Sequence, residues 1–436
     1  MTSRPRPRVP QLLRERDFRS FWVGQTLSLV GDQVTALAIP LVGVLALHAT
    51  AAQMGYLTAV GLAPSLLFSL HAGVLLDRHA TRRRAMLAAD IGRAAILLAV
   101  PIAWWSNTLQ FGVLYAVAFL GGSLDVIFFV AYNTVFVALT PPKLFVQGQS
   151  LLNGSRAASQ LAGPAIAGVL IGVLTAPIAL LVDAVSFLAS AASLSRIRPQ
   201  EPPPATEAQG SLTVGIRFIR QSPVVRRALA ATATVNYFNF VFFSLFVLFV
   251  VRDLGVSAAH LGVILGVAGI GAVAGSLLTE RVTQRIGVGR TFALSCVVFP
   301  APLMLAPAAP AHSLWTSSFV FLSALLCGLG VMLLDISVGS ILAAAIPHAL
   351  RARVSGAYRT VNYGVRPLGA LTGGALGSSI GVRPTLWLAA IGGLTGVLWT
   401  LSPQILRLRD LEAALPVPSQ RAERRSSRSV ASVNPD

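Results

Sequence analysis

Long apolar stretches recur from one end of the chain to the other, separated by short polar connections. An α-helix rises 1.5 Å per residue, so about twenty residues cross the ~30 Å hydrocarbon layer of a bilayer. Twelve stretches come close to this length. We therefore predict an all-α membrane protein with twelve transmembrane helices, at residues 21–47, 54–76, 86–105, 109–139, 145–174, 177–194, 228–251, 259–278, 291–310, 314–346, 354–380 and 384–401.

Composition supports this prediction. Charged residues make up 11% of the 436 residues, whereas a soluble globular protein carries about 25%. The mean hydropathy of +0.71 also excludes a soluble enzyme, a secreted disulfide scaffold and a disordered protein. The sequence has no Walker A motif, no nucleophile–base arrangement and no spacing of metal ligands. We therefore expect no enzymatic activity, no metal and no cofactor.

The formal charge of +18 follows from the placement of the basic residues. Nearly all of them lie in the two tails and in alternate connections, and only Arg252 and Arg383 fall in connections on the other side. The positive-inside rule then places both termini in the cytoplasm. We expect a multi-pass protein of the plasma membrane (a bacterial inner membrane) whose charge serves membrane orientation rather than nucleic-acid binding.

The connection between the sixth and seventh spans divides the chain into halves. It contains Leu212, Ile216 and Ile219 at helical spacing, interleaved with arginines, which predicts a short amphipathic helix. This helix either lies against the cytoplasmic face or is a solvated linker. The predicted organisation is a tail at 1–19, a six-helix bundle at 20–195, the linker at 196–227, a second bundle at 228–402 and a disordered tail at 403–436.

The two halves resemble each other at an offset of 206 residues. The fifth and eleventh spans then share one glycine-dense segment, preceded by one polar stripe at helical spacing. Two parallel six-helix halves around a midplane cavity are typical of transporters. The aligned positions are Pro141 over Pro347, Gly163 over Gly369, Gly168 over Gly374, Asn153 over Arg359, Arg156 over Asn362 and Gln160 over Arg366.

One face of the first span is polar: Gln25, Ser28, Asp32 and Thr35 are spaced at i, i+3, i+7 and i+10. A carboxylate at this depth costs roughly 2.5–3.5 kcal/mol on insertion scales, so Asp32 should face protein or a water-filled cavity. Desolvation disfavours the charged form, which makes Asp32 a candidate proton carrier. The alternative is a structural hydrogen bond between helices.

Other ionisable groups also lie inside spans. Asp90 and Arg93, three residues apart, are interpreted as a local structural pair. Asp125 and Asp335 either carry protons, bind a cationic group, or neutralise Arg156 or Arg366, and Asp183 has no assigned role. We expect Gln25, Arg156, Asn236, Asn239, Asn362 and Arg366 to line the cavity, with packing as the alternative for the two asparagines of the seventh span.

Two further segments suggest how the molecule changes state. Residues 163–168 combine glycines with Pro164, which predicts either a bent pivot helix or ordinary tight packing. Between the second and third spans, Asp77 can cap a helix or pair with arginine in one conformation only, as a gate requires. The predicted gating residues are Gly73, Asp77, Arg78 and Arg82.

Together these motifs resemble the major facilitator superfamily over residues 11–405. Residues 73–84 resemble its cytoplasmic loop signature, although Ala80 replaces the usual glycine and Thr81 a usual basic residue. Gly163, Pro164 and Gly168 resemble the core of the signature associated with exporters. Residues 21–25, Ser28, Gly31, Asp32, residues 38–40 and residues 181–188 are similar to the branch of macrolide efflux proteins and enterobactin exporters.

The resemblance implies alternating access, with export coupled to proton entry. We expect a monomeric efflux transporter whose partners are protons, the lipid bilayer and a hydrophobic or amphiphilic small molecule, such as a macrolide drug or a siderophore-like metabolite. Two alternatives remain: an uptake symporter, and a receptor or assembly protein that has kept the fold without transport.

Overall fold

The computed structural model describes residues 10–79, 81–199 and 212–408, and of residues 69–79, 212, 349 and 352 it describes the backbone alone. Within these ranges the chain is helical and has no strand. The α-helices are α1 Arg16–Leu41, α2 Ala51–His79, α3 Arg82–Trp105, α4 Phe111–Leu139, α5 Phe145–Leu174, α6 Ala176–Arg196, α7 Leu212–Gln221, α8 Pro223–Leu248, α9 Ala258–Ile286, α10 Val288–Val298, α11 Leu305–Ala308, α12 Thr316–Ala345, α13 Arg351–Ser379, α14 Val382–Leu394 and α15 Pro403–Leu406.

Ten helical segments of the described residues are long and apolar enough to cross a membrane, and they correspond to the first ten predicted spans. The other two predicted spans are also helical. Helix α13 carries four arginines, which lower its hydropathy. Helix α14 has 13 residues and continues as a 3-10 helix over Thr395–Thr400. The prediction of twelve spanning helices therefore holds in the fold.

Helix packing follows the predicted duplication. In the first half α1 packs on α5 and α6, and α3 packs on α4 and α6. In the second half α8 packs on α13 and α14, and α12 packs on α9 and α10. The halves meet where α5 packs on α9 and where α2 packs on α13. These two contacts are equivalent under the repeat, so the molecule consists of two pseudo-symmetric six-helix bundles.

Glycines set the closest approaches between the halves. A Cβ placed on Gly168 would lie 2.8 Å from the Cα of Gly262, and a Cβ on Gly55 would lie 2.6 Å from the Cα of Gly374. Real Cβ atoms do not approach backbone so closely, so these helices can touch only because both partners lack a side chain. Both pairs lie toward the end of the bundles remote from the chain termini, which we call the distal side.

The linker helix is present as α7. It packs against α13 and α8, and a Cβ on Gly215 would lie 2.4 Å from the carbonyl oxygen of Arg353. Ile219 is buried, while Ile216 remains exposed. The apolar face of α7 is therefore partly covered by protein. The linker ends at Ser222, whose hydroxyl caps α8, so α8 begins at Pro223 rather than at residue 228.

The ends of the chain are described only in part. The stretch expected to be a tail before residue 20 includes the start of α1 at Arg16. The C-terminal stretch includes α15. The disorder predicted beyond residue 408, and the three prolines at 202–204, fall outside the described residues.

Candidate substrate cavity

A cavity of about 1290 Å³ lies between the two halves. Its wall comes mainly from α1 to α6, and α8 and α13 contribute the remainder. The lining is largely apolar and aromatic, and the volume is ample for a drug-sized ligand. Among the described residues, six charged ones line it: Asp32, Arg93, Asp125, Arg156, Asp183 and Arg359.

Arg93 is the centre of a buried ionic network. Its guanidinium pairs with Asp90 on the same helix and donates a 2.6 Å hydrogen bond to Asp125 on α4. It also lies between two aromatic rings, 4.4 Å from the centroid of Phe128 and 4.2 Å from that of Phe187. Asp90 and Arg93 thus form the expected local pair. Asp125 pairs with Arg93 rather than with Arg156.

Asp183 receives its hydrogen bonds from two hydroxyl groups. The Thr35 hydroxyl donates to one carboxylate oxygen, and the Ser186 hydroxyl donates to the other at 2.8 Å. This arrangement requires close contact between α1 and α6, because a Cβ on Gly31 would lie 2.2 Å from the Asp183 carboxylate. The carboxyl group is fully buried. The sequence alone assigns no role to Asp183, although the Thr35 hydroxyl on the polar face of α1 indicates a buried hydrogen-bond acceptor nearby.

Asp32 lies one residue from Gly31, beside this site. It is half-buried and faces the cavity, and it forms no hydrogen bond or ion pair with any described residue. Its electrostatic neighbours are Asp183, Asp125, Asp90 and Arg93. The carboxyl groups of Asp32, Asp90, Asp125 and Asp183 therefore all lie near the guanidinium of Arg93. Of these, Asp32 faces the cavity without a partner.

The cavity has a basic end as well. Arg156 of α5 and Arg359 of α13 line it with exposed side chains, and neither forms an ion pair with a described residue. Both lie nearer than Asp32 to the end of the bundles that holds the chain termini, because α5 and α13 begin on that side. We infer that the cavity opens on the terminus side and that the glycine contacts close it on the distal side.

Five residues expected at the site lie outside this lining. Asn236 donates a 3.1 Å hydrogen bond to Asn362, so the two asparagines connect α8 to α13. Asn239 and Arg366 are partly buried, and Arg366 stacks 4.0 Å from the ring centroid of Tyr363. Asp335 lies on α12 of the second half, with Arg366 as its electrostatic neighbour. Of the predicted cavity residues, Gln25 and Arg156 line the cavity.

The predicted hinge residues face two different helices. Gly163 packs on α1, where its Cβ would lie 2.4 Å from the side chain of Gln33, whereas Gly168 packs on α9 of the other half. Pro164 lies within α5, and its carbonyl oxygen would be 2.4 Å from a Cβ on Gly262. The segment from 163 to 168 therefore includes the contact between the halves.

The predicted gating residues are only partly described. Gly73, Asp77 and Arg78 belong to the backbone of α2, and their side chains lie outside the described residues. Arg82, at the start of α3, is 7% exposed. The neighbouring Arg83 donates hydrogen bonds to the carbonyl oxygens of Leu194 and Ser195, which ties α3 to the end of α6.

Comparison with known proteins extends these observations. Residues 21–362 and 228–432 match the family model described as Major Facilitator Superfamily. The chain is 25% identical over 388 residues to the uncharacterized MFS-type transporter YfiS of Bacillus subtilis, with 86% of this chain and 89% of that protein covered. A mutant of the nucleoside transporter NupG matches in structure with a TM-score of 0.72 at 11% identity, covering 88% of this chain and 99% of that one. A bacterial homologue of the iron transporter ferroportin in an inward-facing state gives 0.71 at 14%, covering 89% and 99%. At these identities the structural likeness shows the fold alone.

Proposed function

Because the chain belongs to the Major Facilitator Superfamily, a family of transporters and not of enzymes, we propose that it exports a hydrophobic or amphiphilic small molecule in exchange for protons. Macrolide-like drugs and siderophore-like metabolites are the substrate types that its motifs favour. The observation that carries the proposal is the placement of Asp32: an intramembrane carboxyl group that lines the cavity and has no partner among the described residues.

Asp32 can couple the two fluxes because it can be occupied in two ways. A proton neutralises it, or a bound substrate contacts the ionised carboxylate, and each occupant disfavours the other. One proton moving down about 100 mV supplies ~2.3 kcal/mol, enough for a substrate gradient of roughly 50-fold. Asp125 is held by Arg93, and Asp335 lies outside the cavity, so Asp32 is the best placed of the three predicted proton carriers.

Alternating access requires two states in which the cavity opens to opposite sides. The described state is closed on the distal side by the Gly168–Gly262 and Gly55–Gly374 contacts. With the termini in the cytoplasm of a bacterial cell, as the distribution of arginines favours, this state faces inward. Export then proceeds by separating these glycine pairs, with α5 bending at Pro164 and the junction of α2 and α3, which carries Asp77, Arg78 and Arg82, closing the cytoplasmic side. One chain supplies the lining of the cavity between the halves, which is sufficient for a monomer to function.

The proposal is tested by transport in everted membrane vesicles from cells that overproduce the protein. A drug-susceptibility and metabolite-export screen of a deletion strain selects the substrate, and labelled erythromycin is the first probe. We expect uphill accumulation when the vesicle lumen is acidic, and loss of accumulation when nigericin collapses the proton gradient. Accumulation that survives nigericin removes proton coupling. Accumulation only in right-side-out vesicles makes the protein a symporter for uptake, and binding without any counterflow makes it a receptor.

A further inference from the structure

We propose that the substrate is dipolar: it carries a cationic amine that binds at Asp32, and a carboxylate that binds at Arg156 and Arg359, joined by an apolar body. This inference rests on the proposed transport function and specifies the charge pattern of its substrate. It follows from the separation of unpaired charges of opposite sign at two levels of one cavity.

At the acidic end of the cavity, the carboxyl groups of the described residues outnumber the cationic side chains that pair with them. Arg93 is shared by Asp90 and Asp125, and both oxygens of the buried Asp183 accept hydrogen bonds from hydroxyl groups. Asp32 has no partner among the described residues. A primary ammonium group brings one positive charge and three donors, so it can pair with Asp32, which faces the cavity. An amine is therefore the group that this end accommodates best.

At the basic end of the cavity, two arginines have no carboxylate partner among the described residues. Arg156 and Arg359 come from opposite halves of the molecule, and both line the cavity without an ion pair to any described residue. A guanidinium presents a planar fork of donors that matches a carboxylate, so two of them can bind one anionic group from two sides. The repeat places Asn153 at the position equivalent to Arg359, and Asn153 also lines the cavity.

The distance between the two ends follows from the packing of α1 on α5. The Thr26 hydroxyl donates a 2.9 Å hydrogen bond to Ser155, which places these residues at the same level of two helices that run in the same direction. Asp32 follows Thr26 by six residues, and Arg156 follows Ser155 by one. At 1.5 Å per residue, Asp32 therefore lies about 8 Å farther along the helix axis than Arg156. Aromatic side chains of Phe128, Phe129 and Phe187 line the cavity and can contact an apolar body.

Three probes of matched shape test this arrangement. They are 4′-(aminomethyl)biphenyl-4-carboxylic acid, which carries both charges, biphenyl-4-methylamine, which carries only the cation, and biphenyl-4-carboxylic acid, which carries only the anion. The corresponding single-ring compounds test the length. Binding is measured as a shift in thermal unfolding of the purified full-length protein, reported by a thiol-reactive dye. Cys296 and Cys327 are both buried, so the dye reacts when the protein unfolds.

We expect the dipolar probe to bind at least tenfold more tightly than either single-charge probe, at one of the two lengths. Arg156→Gln and Arg359→Gln should each weaken the dipolar and carboxylate probes about tenfold and leave the amine probe within twofold. Asp32→Asn should weaken the dipolar and amine probes about tenfold and leave the carboxylate probe within twofold. Arg156→Lys, which keeps the charge, should retain part of the binding. Arg285→Gln changes an exposed arginine of α9 outside the cavity lining and should change nothing.

The proposal would be overturned by equal affinity for the dipolar and single-charge probes, by a double variant (Arg156→Gln with Arg359→Gln) that binds all probes as the wild type does, or by no binding of any probe. The unliganded melting temperature of each variant distinguishes lost binding from lost folding. A protein that binds only the amine probe refutes the dipolar substrate and leaves proton-coupled export intact. Transport insensitive to nigericin refutes the coupling and leaves the binding pattern of the probes valid.

Discussion

Arg93 of α3 donates a 2.6 Å hydrogen bond to Asp125 of α4. This bond joins two helices of the first half at the cavity wall, and it leaves the Asp125 side chain 60% exposed while Asp90, the other partner of Arg93, is fully buried. The two carboxylates are therefore unequal in their surroundings, although both pair with one guanidinium. Among the described residues, Arg93 is the cation that pairs with Asp90.

Replacing Arg93 should destabilise the fold more than replacing either of its partners. Arg93→Leu leaves Asp90 buried and unpaired, and removing one member of a buried pair costs about 3–5 kcal/mol. Asp125→Asn should cost far less because water reaches this side chain. The free energy of unfolding, measured by SDS titration in mixed micelles, gives the order. Arg93→Lys is the matched control and should fall between. Equal stability of Arg93→Leu and the wild type would contradict this account of the network.

A methyl group at the glycine contact between the halves should shift the conformational equilibrium. Gly168→Ala places a Cβ 2.8 Å from the Cα of Gly262, and overpacking of this kind costs about 1–3 kcal/mol. The cost applies to the state that is closed on the distal side. Spin labels on Trp105→Cys and Leu314→Cys, with both native cysteines replaced by alanine, should therefore report a longer distance between the distal ends. Gly154→Ala on the same helix meets nothing within 4 Å and serves as the control. An unchanged distance distribution for Gly168→Ala would refute distal closure by this contact.

The hydrogen bond from Thr35 to Asp183 should stabilise the packing of α1 on α6. Thr35→Val keeps the shape of the side chain and removes the donor, which leaves one oxygen of a buried carboxyl without its partner. The expected loss is about 1–3 kcal/mol in the free energy of unfolding. Thr58→Val is the matched control, because among the described residues the Thr58 hydroxyl donates its hydrogen bond to the carbonyl of Met54 on its own helix. A variant of Thr35 that is no less stable than the Thr58 variant would show that this bond is dispensable.

The sequence predicted the helices and the repeat because both are properties of local pattern. Apolar length determined the spans, and the offset of 206 residues placed Gly168 over Gly374 before either partner was known. The partners, Gly262 and Gly55, depend on which helices of the two halves meet. Periodicity describes the faces of one helix and contains no information on its neighbour.

The charged site was predictable only in part for the same reason. Spacing placed Asp32 on a polar face and paired Asp90 with Arg93, since both relations lie within one helix. The pairing of Arg93 with Asp125 crosses from α3 to α4, and that of Thr35 with Asp183 crosses from α1 to α6, so neither follows from the pattern of one helix. Asn236 and Asn362 each have the polarity of a cavity residue, but they form a hydrogen bond with each other between α8 and α13. A polar side chain in a membrane helix needs a partner, and the sequence does not say whether this is substrate, water or another helix.

The central claim is that protonation of Asp32 drives transport, and uphill accumulation in everted vesicles tests it most directly. With an imposed proton gradient, Asp32→Asn should abolish accumulation but retain exchange of labelled for unlabelled substrate. The amide can still contact the substrate, but it has no proton to release. Asp335→Asn, which alters a carboxyl group outside the cavity, should accumulate substrate as the wild type does. Normal accumulation by Asp32→Asn would contradict the account.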